Sequence, residues 1–143
     1  MSGALAGVAL GILTIVFARI IRGQRWLYSI GLLTLPTLYA LFALRVGEPA
    51  VGIQEMIYGL PFLAAGLLFA FVSVRGSAII VGVLWILHAV YDLVHDRFIT
   101  NAGVPDWYPV FCFAVDVIVG GYVLWLATRV SNANLRQLTS EKS

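Results

Sequence analysis

The sequence predicts an all-α fold: a polytopic transmembrane helical bundle of about five spans, with the N-terminus outside and the C-terminus inside. The chain of 143 residues is 61% hydrophobic and only 11% charged, about half the charge fraction of a soluble domain. Apolar runs of roughly 20 residues, the length that crosses a bilayer core, recur along it. Its nine lysines and arginines are also distributed unevenly between the two sets of helix ends, and that bias sets the orientation.

Each span follows from its run. The first, "GALAGVALGILTIVFARII" at 3–21, has no basic leader and its charges follow the apolar stretch, so it reads as a retained helix rather than a cleaved signal. The second is expected over 26–45 and the third over 53–74, separated by the Pro/Gly turn "RVGEPAVG". Only "VRGS" divides the third from the fourth, at 77–96, so these two should form an antiparallel hairpin. The longest loop, "RFITNAGVPDWYP", leads into the fifth at 108–128, where Pro109 suits a first helical turn. Residues 1–130 thus form one transmembrane domain, and 131–143 a polar cytoplasmic tail that should fray.

Arg19, Arg22, Arg25, Arg75, Arg129, Arg136 and Lys142 fall on one side of this layout, Arg45 and Arg97 on the other. The positive-inside rule makes the first side cytoplasmic. Glu48, Glu55, Asp96 and Asp106 then lie at or near the outer face. Trp26, Tyr28 and Trp125 match an inner aromatic belt, with Trp107 and Tyr108 at the outer one.

The bilayer is the first partner implied. Gly3, Gly7 and Gly11 form a stripe of small residues that permits close helix contact, within the chain or with a second copy in a homo-oligomer. No basic cluster interleaved with aromatics points to nucleic acid. The single cysteine, Cys112, excludes an intrachain disulfide. Pro36 and Pro61 fall inside spans and should kink the second and third helices.

One stretch departs from the apolar pattern. Residues 88–96, "HAVYDLVHD", put two histidines and two acids where a membrane helix should be bare. His88, Asp92 and His95 are spaced i, i+4, i+7, within about 40° of one face at 100° per residue. Asp96 turns away, towards the headgroups. The fifth helix carries Cys112 and Asp116 at i, i+4, and the third carries Glu55 and Tyr58 at i, i+3. At 1.5 Å per residue, His88 and Asp116 each lie about 12 Å below the outer surface. Asp92, Cys112 and Tyr58 lie about half as deep, with Glu55 and His95 at the mouth.

An aspartate at mid-membrane costs about 2.5–3.5 kcal/mol even on insertion scales. Asp92 and Asp116 must therefore be protonated, paired with histidine, or bound to a cation. The stripe must face the bundle, which brings the third, fourth and fifth helices together around an outward-opening pocket. Carboxylate and imidazole ligands suit zinc, iron, manganese or copper. In that reading His88, Asp92, His95, Asp116 and Cys112 supply the ligands, and the divalent ion activates water on a lipid or small apolar substrate. Glu55 or Tyr58 then serves as catalytic proton donor or acceptor, with Trp85 and Tyr91 as apolar walls. Two alternatives use the same groups: a small transporter or proton-coupled carrier, and an accessory subunit in which the polar network only fixes helix register.

From Trp85 onward, "WILHAVYDLVHDRFI…VPDWYPVFCFAVDVIVG" resembles a family of small bacterial integral membrane proteins of unknown function. The shared pattern is W-x2-H-x3-D-x2-H, then C-x3-D, matched by Trp85, His88, Asp92, His95, Cys112 and Asp116. "IQEMIYG" is similar to that family's upstream Glu-containing segment. The departures are Tyr91, where the family carries Trp, and Asp96, where it carries a second histidine. The resemblance covers the C-terminal 90 residues or so. It implies a multi-pass protein of a bacterial plasma membrane, and no activity. Zinc-dependent membrane hydrolases of the ceramidase class offer an analogy only, having more helices and another motif.

Overall fold

The computed structural model describes residues 2–72 and 76–140, and is all-helical there. Its elements are α1 (Ser2–Ile20), α2 (Gln24–Arg45), α3 (Pro49–Tyr58), α4 (Leu60–Phe71), α5 (Ser77–Val94), a 3₁₀ turn (His95–Arg97) and α6 (Tyr108–Ser140). Arg75 and Lys142, two of the cations behind the expected orientation, lie outside the described residues, as does the side chain of Arg136. Among the described residues, four helices are long and apolar enough to cross a membrane: Gly3–Ile20, Gln24–Arg45, Ser77–Arg97 and Tyr108–Arg129. The last helical path continues to Ser140, past the expected end near residue 128.

The expected third span is two helices, bent by 58° at Gly59. Pro61 sits at the start of α4, where its missing N–H leaves no helical bond unmade. Pro36 leaves α2 a single helix. The two features meet, since a Cβ on Gly59 would overlap the Pro36 ring. Glycine at the break therefore lets the chain turn directly over the proline of α2. On either side the pair follows α2 in antiparallel fashion. Gly52 lies against Ala40 and Leu44, and Gly66 against Ser29 and Leu32. The broken pair thus travels the length of α2.

The other contacts set the remaining directions. Gly3, Gly7 and Gly11 face Trp107, Phe111 and Ala114, and Ile118 in ascending order, so α1 and α6 run parallel. A Cβ on Gly7 would stand 2.9 Å from that of Ala114. The glycine stripe is thus occupied within the chain, and a second copy using it would have to displace α6. Gly82 faces Leu124 and Gly120 faces Trp85, so α5 and α6 run antiparallel. The described residues thus hold four helices long and apolar enough to span, or five where the bent α3–α4 pair counts as one span.

Apolar and polar side chains separate along the bundle axis. Leu32, Val81, Trp85, Val119 and Val123 form an apolar core at one end. The Trp85 indole donates to the Tyr28 carbonyl at 3.0 Å there. The other end buries Glu55, His88, Asp92, His95, Asn101 and Asp116.

Candidate functional site

Five ionisable side chains, Glu55, His88, Asp92, His95 and Asp116, are each no more than 2% exposed. None faces the outer surface of the bundle. They form a deep group and a shallow one.

The deep group comes from α5 and α6. The i, i+4 spacing stacks His88 and Asp92 on one face, and α6 brings Asp116 opposite. His88 Nδ1 lies 2.8 Å from Asp116 Oδ2 and 3.5 Å from Asp92 Oδ2. One ligand atom from each residue falls within 4.8 Å of the others, a spacing that could hold a metal ion. Phe62 of α4 closes the site with its ring set edge-on to His88, 5.0 Å between centroids.

The charges of this group do not balance. Two carboxylates face one imidazole, and two ionised carboxylates at this distance repel strongly. A protonated His88 still leaves one negative charge over. Asp92 Oδ2 and Asp116 Oδ1 are buried with no hydrogen-bond partner. Among the described residues, no arginine or lysine forms a salt bridge with either acid.

The shallow group is satisfied. His95 Nε2 lies 2.9 Å from Glu55 Oε1. Asn101, in the α5–α6 loop, donates from Nδ2 to the same Glu55 oxygen at 2.9 Å and to the Tyr39 carbonyl at 3.0 Å. Its Oδ1 accepts from Gly103 N–H at 3.1 Å, a local turn of the kind asparagine favours. Glu55 and His95 were expected at an open mouth. Asn101 instead folds the loop back over them.

Tyr39 of α2 joins the two groups. Its hydroxyl donates to Asp92 Oδ1 at 2.8 Å, and its ring stacks on His95 at 4.2 Å between centroids. The pocket was expected between the third, fourth and fifth spans, and α2 adds Tyr39 to it.

The remaining sequence candidates divide. Cys112 is buried beside Tyr39 and Tyr108, outside the group spaced for a metal. Tyr58 is 48% exposed and its ring lies towards Phe98, 6.5 Å between centroids. Three residues beyond Glu55 it is turned about 60° around α3, which carries it out of the cluster. Asp96 is exposed, its Oδ1 3.4 Å from His95 Nδ1. Tyr91 packs between the two histidines, its hydroxyl buried without a partner. Trp85 lies in the apolar core.

A cavity of about 480 Å³ reaches the site from the side. It runs between α1 and α2, and Cys112, Tyr108 and Asp116 line its inner wall. Comparisons with family models, with characterised proteins and with solved structures find no match.

Proposed function

We propose that this chain is an integral membrane protein holding a divalent metal ion between His88, Asp92 and Asp116. One observation carries the proposal: two buried carboxylates share one imidazole, and each keeps an oxygen with no partner. A divalent ion with a neutral His88 brings the group to zero charge. The paired Glu55 and His95 are neutral in total on their own, so the whole cluster then balances.

One imidazole and two carboxylates suit zinc, iron or manganese. Bound there, the ion would supply Lewis-acid chemistry. Glu55 and His95 are the acid–base pair of the same cluster, linked to the deep group through the Tyr39 hydroxyl on Asp92 and its ring on His95. The substrate would be a lipid or small apolar molecule, since the cavity at Asp116 is walled largely by apolar side chains.

The parallel run of α1 and α6 and the path of α3–α4 along α2 support five membrane passes. The arginine bias puts the N-terminus outside, with the polar end of the bundle in the outer half of a bacterial plasma membrane. The resemblance to a family of small bacterial membrane proteins belongs to the same proposal.

A second reading, proton handling without metal, is favoured by the link from Asp116 through His88 and Asp92 to the Tyr39 hydroxyl. A proton shared by the two aspartates would supply the missing charge instead.

Elemental mass spectrometry of untagged protein in mild detergent decides between them. A near-stoichiometric transition metal, lost in both His88→Ala and Asp116→Asn, supports the metal centre. A metal-free wild type, still metal-free after incubation with zinc, iron, copper and manganese, sinks it in favour of the proton reading.

A further inference from the structure

We propose that the α5–α6 loop, residues 98–107, is a lid on the polar cluster, and that it lifts to admit the ion to Asp92 and Asp116. The passage of the ion rests on the metal reading, whereas the lid rests on the contacts of the loop itself. Glu55, His88, Asp92, His95 and Asp116 are each no more than 2% exposed, so a hydrated ion has no open way to them. Three approaches lead in. From the far end of the bundle the way is filled by Leu32, Val81, Trp85, Val119 and Val123. From the side, the cleft between α1 and α2 reaches Asp116 past Leu10, Leu13, Phe17 and Leu38. Those side chains are exposed and face acyl chains in a membrane, a medium that a bare charge does not enter. The third approach comes from the polar end, where the loop lies across Glu55.

The loop is held there by very little. Its own backbone bonds are local: Phe98 and Ile99 donate to the His95 carbonyl, and Val104 to that of Asn101. Among the described residues, each hydrogen bond that ties it to another helix comes from Asn101, through Nδ2 to Glu55 Oε1 and to the Tyr39 carbonyl. Gly103 adds a close approach of backbone to backbone, since a Cβ there would overlap the Phe42 carbonyl. Val104 packs over Tyr39, Tyr108 and Cys112. A segment with so few ties opens locally more readily than the helices beneath it. Lifting it frees Glu55 Oε1, the first carboxylate on the way in. Beneath lie His95, then Tyr39 stacked on it, then Asp92 at the Tyr39 hydroxyl. The loop therefore covers the one approach that is polar along its length.

Cys112, 5% exposed and beneath Val104, is a native reporter of the lid. The test is its rate of modification by a charged methanethiosulfonate, which stays out of the bilayer, on the full chain in lipid nanodiscs. Release of bound metal to a strong chelator is timed on the same preparations. Asn101→Ala should raise the Cys112 rate about tenfold, the scale of one lost hydrogen-bond pairing. Gly103→Ala, whose methyl group pushes the loop off Phe42, should raise it too. Metal release should quicken by the same factor in each variant. Gly82→Val, which overpacks α5 on Leu124 towards the other end, should lower the melting temperature and leave both rates unchanged. Unchanged Cys112 rates in both loop variants overturn the lid. So does an equal rise in Gly82→Val, because opening would then be global. Faster Cys112 modification with unchanged metal release overturns the route of the ion. A wild type that binds no metal overturns the metal reading alone, and the Cys112 rates then decide the lid by themselves.

Discussion

The Tyr39 hydroxyl donates a 2.8 Å hydrogen bond to Asp92 Oδ1, joining two helices across 53 residues of sequence. That bond occupies one carboxylate oxygen and leaves the other, Oδ2, 3.5 Å from His88 Nδ1. Tyr39→Phe keeps the ring on His95 and removes only the donor. We expect the variant to lose about 1–3 kcal/mol of stability, the cost of an orphaned buried acceptor. Metal affinity should fall about 10–100-fold, because the ligand is no longer oriented. Thermal unfolding in detergent and chelator competition measure the two effects. A lower melting temperature with unchanged affinity would restrict Tyr39 to a packing role.

Metal binding at this site should weaken as pH falls. An ion can use His88 Nδ1 only when that nitrogen carries no proton, and the carboxylates must be ionised too. Binding therefore releases protons, and added acid reverses it. With one proton displaced per ion, affinity drops about tenfold per pH unit on the acid limb and levels off above it. Chelator competition across that range gives the slope directly. A flat profile would exclude His88 as a ligand.

Asn101 should hold the loop closed. Asn101→Ala strips Glu55 Oε1 and the Tyr39 carbonyl of a donor each, and about 1–3 kcal/mol should be lost. Asn101→Asp should be worse, since it sets a carboxylate against Glu55. Hydrogen exchange across residues 98–107 is the readout, with faster exchange expected in both variants. Unchanged exchange would mean that packing of Ile99, which is 2% exposed, closes the loop without Asn101.

Much of the site is legible in the sequence, because position along a helix axis can be counted at 1.5 Å per residue. His88 and Asp116, counted to the same level of the bundle, lie 2.8 Å apart. Glu55 and His95, placed together nearer the surface, are paired as well. The part that escapes is set by lateral contacts. Tyr39 looks like any aromatic in an apolar span, and only the packing of α2 on α5 turns it to Asp92. Asn101 lies in a loop with no periodicity, so nothing along the chain marks it as reaching Glu55. Tyr58 shows the converse, since its spacing from Glu55 is compatible with the pocket yet the short α3 turns it outward. The split of the third span was half visible in Pro61. That Gly59 would be the pivot depended on Pro36 of another helix.

The glycine stripe of α1 gives a separate test of architecture. A side chain at Gly7 would run into the Phe111 carbonyl and the Ala114 Cβ, so Gly7→Val must push α1 off α6. Overpacking of this kind costs about 1–3 kcal/mol. The proposed ligands all lie on α5 and α6, so the melting temperature should fall while metal content stays at the wild-type value. Parallel loss of metal would show that α1 helps to hold Asp116 in place.

Topology is the last point to test, and α3–α4 decides it. If the broken pair is a full span, the chain makes five passes, and Glu48 and Asp106 lie on one side with Arg22 on the other. If it re-enters and returns, the count is four, and Glu48 and Asp106 lie on opposite sides. A Cys112→Ser background removes the one native thiol, after which Arg22→Cys, Glu48→Cys and Asp106→Cys report each loop separately. Intact cells treated with a membrane-impermeant maleimide should label Glu48→Cys and Asp106→Cys and spare Arg22→Cys. Labelling of Glu48→Cys without Asp106→Cys would make α3–α4 a re-entrant loop. It would also reverse α6 relative to α1, against their parallel packing through Gly3, Gly7 and Gly11. Labelling of Arg22→Cys alone would keep five passes and invert the orientation, moving the polar cluster to the cytoplasmic half of the membrane.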